Sequence, residues 1–132
     1  MKRKMTAAQK KAYQQKQDRM KDLCKQWADM SPAERDGLIA KIGAIVTVEG
    51  RELSPRNTML CFYQREGVSL VGGFKQWLGK GRCVRKGEKG ISILFPSKFT
   101  KQGEGGEDDK EFVKFYAGTV FDVSQTDEIV ED

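Results

Sequence analysis

The sequence holds no histidine, only three cysteines and three prolines, and no apolar run long enough to span a bilayer. Each shortage excludes a class of function. Without histidine the commonest general base and the commonest imidazole metal ligand are missing, and the catalytic triads that need one are ruled out. Cys24, Cys61 and Cys83 form no C-x-x-C pair, and an odd, dispersed set fits neither a disulfide framework nor a structural zinc site. The N-terminal MKRKMTAAQKKAYQQKQ has the positive charge of a leader but no apolar segment behind it, so a cytoplasmic protein with no membrane contact is expected. Acids concentrate where nothing would desolvate them. The glycines match neither G-x-x-x-x-G-K-[ST] nor G-x-G-x-x-G after a buried strand. The expectation is a chain that is not an enzyme and uses neither cofactor nor metal.

What is present is a modest core under an ionic surface: 38% hydrophobic and 33% charged residues in 132, the size of one domain covering 1–132. The net charge of +5 is unevenly spread. Residues 1–25 carry nine basic against two acidic groups, and residues 73–101 eight against one, each block netting +7. Residues 102–132 carry two lysines and ten acids, netting −8. Two basic blocks beside an acidic end are the electrostatic footprint of a polyanion ligand, although a solvated helix face and a solubilising tail would leave the same pattern.

Met5, Ala8, Ala12, Met20, Leu23, Trp27 and Met30 recur at helical spacing, interrupted at Lys16, and predict a basic helix over 5–30. Ser31-Pro32-Ala33-Glu34 is a capping box that opens a second helix, and Ser54-Pro55 opens a third that stops by Gly67. Residues 68–73 read as a link and Phe74–Leu78 as one or two helical turns. Then Arg82–Arg85 reads as a strand, Lys86–Gly90 as a turn and Ile91–Phe95 as a strand ended by Pro96. An acidic loop follows over 100–111, then Phe112–Val123 as one strand or two, and an acidic tail over 124–132. Helices before strands predict an α+β fold, N-terminal helices packed on a small antiparallel sheet built from the C-terminal half.

The stretch Gly73–Gly90 interleaves Phe74 and Trp77 with five glycines and with Lys75, Lys80, Arg82, Arg85, Lys86 and Lys89. Single-strand binders need a cationic track for phosphates and flat faces for bases. Trp77 reads first as a core anchor and second as a stacking platform, and Phe74 carries the same choice. A second candidate is Arg56 and Asn57 at a helix N-terminus, with Tyr63 two turns on. Arg56 adds a forked donor where backbone N–H groups already favour an anion, and Asn57 suits either a base edge or the holding of a neighbouring segment.

The residues Ser54-x-Arg56-Asn57, Gly73-Phe74-Lys75-x-Trp77, the run from Gly81 to Ile91 and the later Val120-Phe121-Asp122-Val123-Ser124-Gln125-Thr126 stand in an order that resembles the ArdC-type single-stranded-DNA-binding domain of plasmid antirestriction proteins. The resemblance covers about residues 5–126. It implies an α+β fold, affinity for single-stranded DNA, and a role in a mobile element such as a plasmid, conjugative element or phage, including protection of its DNA from host defence. Apart from the resemblance, a monomer is expected, with single-stranded DNA or RNA as partner. Longer members carry a metallopeptidase-like domain with H-E-x-x-H; this sequence has no histidine, so peptidase activity is not expected here. On this reading Lys75, Lys80, Arg82, Arg85, Lys86 and Lys89 meet phosphates, Arg56 and Asn57 position a nucleotide, and Trp77, Phe74 or Tyr63 stack. The competing reading is a counter-defence inhibitor (anti-restriction or anti-CRISPR) that binds a host nuclease or its guide RNA.

Overall fold

The computed structural model describes residues 4–130. Among these residues four α-helices form where local chemistry favours them. Thr6 caps α1 (Ala7–Asp29): its hydroxyl accepts from the Gln9 N–H while the Gln9 side chain accepts from the Thr6 N–H. The expected Ser31–Glu34 box opens α2 (Pro32–Ile42) in the same way. Such caps contribute about 1 kcal/mol each. Ser54 Oγ accepts from the Asn57 N–H to start α3 (Pro55–Gln64). At α4 (Phe74–Gly79) glycine offers no capping side chain, and the Gln76 side chain accepts from the Gly73 N–H instead.

Among the described residues six strands make two sheets. The larger runs in the order β1 (Val46–Thr47), β2 (Leu70–Gly72), β5 (Lys110–Asp122), β4 (Ile91–Lys101); the smaller pairs β3 (Arg82–Val84) with β6 (Thr126–Glu128). The larger sheet is mixed rather than antiparallel throughout. β1 and β2 are parallel because α3 lies between them as a crossover, while β2–β5 and β4–β5 are antiparallel.

Several expectations are corrected. The segment 68–73 is not a mere link: it contains β2, which lies inside the sheet. The strand from Ile91 does not end at Pro96 but runs to Lys101, because β4 is an edge strand, where a missing N–H is tolerated. The loop at 100–111 thus narrows to residues 102–109, and Phe112–Val123 lies largely on one unbroken strand. The presumed acidic tail contains a 3-10 turn (Val123–Gln125) and β6; its last two residues, like residues 1–3, lie outside the described ones. Finally, the basic turn after β3 does not join two strands that pair with each other. β3 pairs with β6, so the turn carries the chain from one sheet to the other.

Two apolar clusters hold the elements together. Ile45, Cys61, Val71, Ile91, Ile93 and Val120 form one, between α3 and the inner sheet face. Leu23, Met59 and Leu60 form the other, between α1 and α3, with Leu94 packed against it. Cys61 lies in the first cluster, and burial, with the Asp122 charge adding to it, pushes its thiol up to about 12. Trp77 is buried, and its indole N–H donates to the Phe121 carbonyl at 2.9 Å.

Candidate nucleic-acid interface

The two motifs of the second half meet at one corner. Asp122 is buried, and its carboxylate accepts from the Ser69 and Leu70 N–H groups and from both the N–H and the hydroxyl of Ser124. Burial alone would raise its pKa, but these hydrogen bonds together hold it below the ordinary carboxylate value. Gln125, also buried, accepts from the Asp122 N–H and donates to the Lys89 carbonyl. Arg85 donates to the Ser124 and Thr126 carbonyls and to Asp127, and Glu88 lies 3.5 Å from its guanidinium. Arg82 donates to the Thr126 hydroxyl and carbonyl and lies 3.7 Å from Glu128. Arg82 and Arg85 therefore fasten the basic turn to β6, and the acids of the tail are their partners.

The other expected site residues divide in two. Trp77 is in the core, and both ends of the Asn57 amide bond the Leu94 backbone, each at 2.9 Å. The Gln64 amide does the same to Ser92, at 2.7 and 2.8 Å. Two side chains of α3 thus satisfy the outer edge of β4 at its base, as a neighbouring strand would. In contrast Phe74, Lys75, Lys80, Lys86, Lys89 and Tyr63 are exposed. Arg56 is half-buried, with its guanidinium 4.6 Å above the Phe115 ring. The structure does not gather the eleven residues into one groove.

It brings together a set that the sequence did not single out. Beyond residue 94 the β4–β5 hairpin extends as an arm. Side chains alternate between its faces, so the register sets Phe95 opposite Tyr116, Ser97 opposite Lys114, Phe99 opposite Phe112 and Lys101 opposite Lys110, all on the face that carries Ile91 and Val120 at its base. Successive rows lie about 7 Å apart along the strands. Phe95 and Tyr116 are 46% and 49% exposed, and Phe99 and Phe112 36% and 39%. Phe99 stacks on Phe112 with centroids 5.6 Å apart, and the Lys114 ammonium reaches over both rings at 5.9 and 5.8 Å. The face alternates aromatic and cationic rows. The Phe95 ring occupies the space beside Gly118, where a Cβ would come within 2.1 Å of it. Directly opposed lysines at 101 and 110 are an unfavourable cross-strand pair, a local cost expected where function needs charge. Among the described residues every ion pair sits at the Arg82–Arg85 corner and none involves a lysine of the arm. No three carboxylate, thiol or imidazole groups converge among these residues to hold a metal. Ending the first strand at Pro96 hides the register that pairs Phe112 and Tyr116 with Phe99 and Phe95.

Comparison with known proteins matches most of the chain and singles out no site within it. A family model described as the N-terminal domain of anti-restriction factor ArdC matches residues 10–121. A metal-free crystal structure of the antirestriction ArdC protein from R388 plasmid superposes with a TM-score of 0.57 at 21% identity, covering 74% of this chain and 41% of that one. The Mn(II)-bound structure of that protein gives a TM-score of 0.47 at 24% identity, covering 73% and 38%. The chain thus spans less than half the length of the solved relative, and at that identity the metal-free structure shows a shared fold. Among curated proteins no match was found.

Proposed function

We propose, from the premise that this chain belongs to the family of the N-terminal domain of the anti-restriction factor ArdC, that it is a non-enzymatic binding domain for single-stranded DNA with an antirestriction role in a mobile element. The observation that carries the DNA reading is the exposed aromatic face of the β4–β5 arm, which continues the Ile91–Val120 side of the sheet beyond the core. Four exposed rings and three lysines alternate there in rows. Bases stack on aromatic faces regardless of sequence, at about 1–3 kcal/mol each, and lysines between them neutralise phosphates. A duplex keeps its bases stacked on each other and gives the rings nothing to hold, so the arm selects single strands. Lys86 and Lys89, exposed in the turn that leads into β4, add positive charge next to the start of that strand.

The test is an anisotropy titration of a labelled single strand and its duplex at several salt concentrations. Tighter binding of the single strand is expected, with log affinity falling against log salt at about 0.7 per phosphate neutralised. Equal binding of both forms, or none at low salt, would overturn the reading and direct attention to a protein partner for the aromatic face. Added divalent metal is expected to produce no cleavage of the oligonucleotide.

A further inference from the structure

The opposite face of the same hairpin meets the α1–α3 cluster through Leu94 and otherwise stands off the first helix. Between them is a cleft of about 610 Å³, within the range of about 300–1,000 Å³ typical of small-ligand sites. Tyr13, Lys16 and Lys21 line it from α1, and Leu94, Phe115 and Ala117 from the sheet. Its lining includes two lysines and no carboxylate. Tyr13 and Phe115 are 56% and 53% exposed, although they stand on facing walls. Leu23 is the buried residue of α1, so the turns before Met20 are not held by the core. A helix meant to close on a sheet would present an apolar stripe here, and this one presents Lys16. Arg56, stacked on Phe115, adds a third cation beside the sheet wall.

We propose that this cleft is a second subsite for the single strand, so that one ligand engages both faces of the hairpin. The inference rests on the reading above. A strand stacked on the arm turns round the hairpin and enters the cleft, where Lys16 and Lys21 meet a phosphate and Tyr13 and Phe115 flank a base. Charge decides the class of occupant: a cationic, aromatic cleft without an acid favours a polyanion with flat groups over an apolar peptide or a second copy of this basic chain. The first half of α1 then functions as a wall of the binding channel.

The subsite makes affinity depend on ligand length. Titrations would use the full chain with oligothymidylates of about four and about sixteen nucleotides, the span of known single-strand sites. The variants are Lys16→Glu/Lys21→Glu, Tyr13→Ala, which leaves every charge in place, and Phe99→Ala/Phe112→Ala on the arm. Both cleft variants alter exposed residues, and thermal melts check that they fold. Expected are weaker binding of both lengths by the arm variant, and loss of about fivefold or more on the long strand alone by each cleft variant. Wild-type affinity for the long strand in both cleft variants, with the arm variant impaired, would overturn the subsite and leave the proposed function intact. Equal losses on both lengths in the cleft variants would also overturn it, since the cleft would then not be a separate subsite. Wild-type binding by the arm variant would remove the underlying reading, and the subsite with it.

Discussion

Trp77 shows how one residue's partners decide its role. Its indole N–H bonds the Phe121 carbonyl and its ring is 2% exposed, so it anchors α4 to β5 and offers no face to a ligand. Trp77→Phe is expected to lower unfolding free energy by about 1–3 kcal/mol, through the unpaired carbonyl, and to leave affinity for single-stranded DNA unchanged. Chemical denaturation beside a binding titration checks both halves, and a matching loss of affinity would return Trp77 to the ligand site. Asp122 sets an acid limit. Its folded pKa lies below the unfolded value of about 3.9, so it stabilises the fold fully above that pH, and the contribution is lost as pH falls through the depressed value. Unfolding free energy should therefore drop below about pH 4, and Asp122→Asn should flatten that part of the profile while destabilising the protein at pH 7. Cys61, held protonated and buried, should resist thiol reagents until the chain unfolds, whereas exposed Cys83 reacts first. Timed alkylation followed by peptide mapping distinguishes them.

At the level of elements, the β4–β5 arm is built for contact more than for stability. Its outer rings, Phe99 and Phe112, touch one another and Lys114, and neither belongs to the two core clusters. Phe99→Ala/Phe112→Ala should leave the melting temperature nearly unchanged while reducing single-strand affinity about five- to 150-fold for each stacked base lost. The base of the arm behaves oppositely. Asn57→Ala frees the Leu94 N–H and carbonyl that its amide now satisfies, and should cost about 1–3 kcal/mol, read from a denaturation midpoint. The same contrast explains what could be read beforehand. The capped starts of α2 and α3 were legible because Ser31, Glu34 and Ser54 act within their own turn. The arm was not, because its meaning lies in which residue of β4 faces which residue of β5, and a proline taken as a stop concealed that register. Asn57 was legible as a residue with two uses, and only the position of Leu94, 37 residues away, selects one.

Across the whole molecule, charge blocks read from the sequence acquire separate roles. Part of the second basic block is internal wiring, since Arg82 and Arg85 fasten the turn to β6 and find their acids in what looked like a tail. The lysines of the same block, and those of α1, remain for a ligand. The helices-then-strands order gave the α+β class, while the parallel β1–β2 pair depended on α3 acting as a crossover, which no local pattern announces. The central claim is that the bases of the strand stack on the arm and not on the glycine-rich stretch. Photo-crosslinking a bromodeoxyuridine-substituted single strand, followed by mapping of the modified peptides, tests it directly. The account predicts adducts on Phe95, Phe99, Phe112 or Tyr116. Adducts confined to residues 74–89, with the arm unmodified, would contradict it.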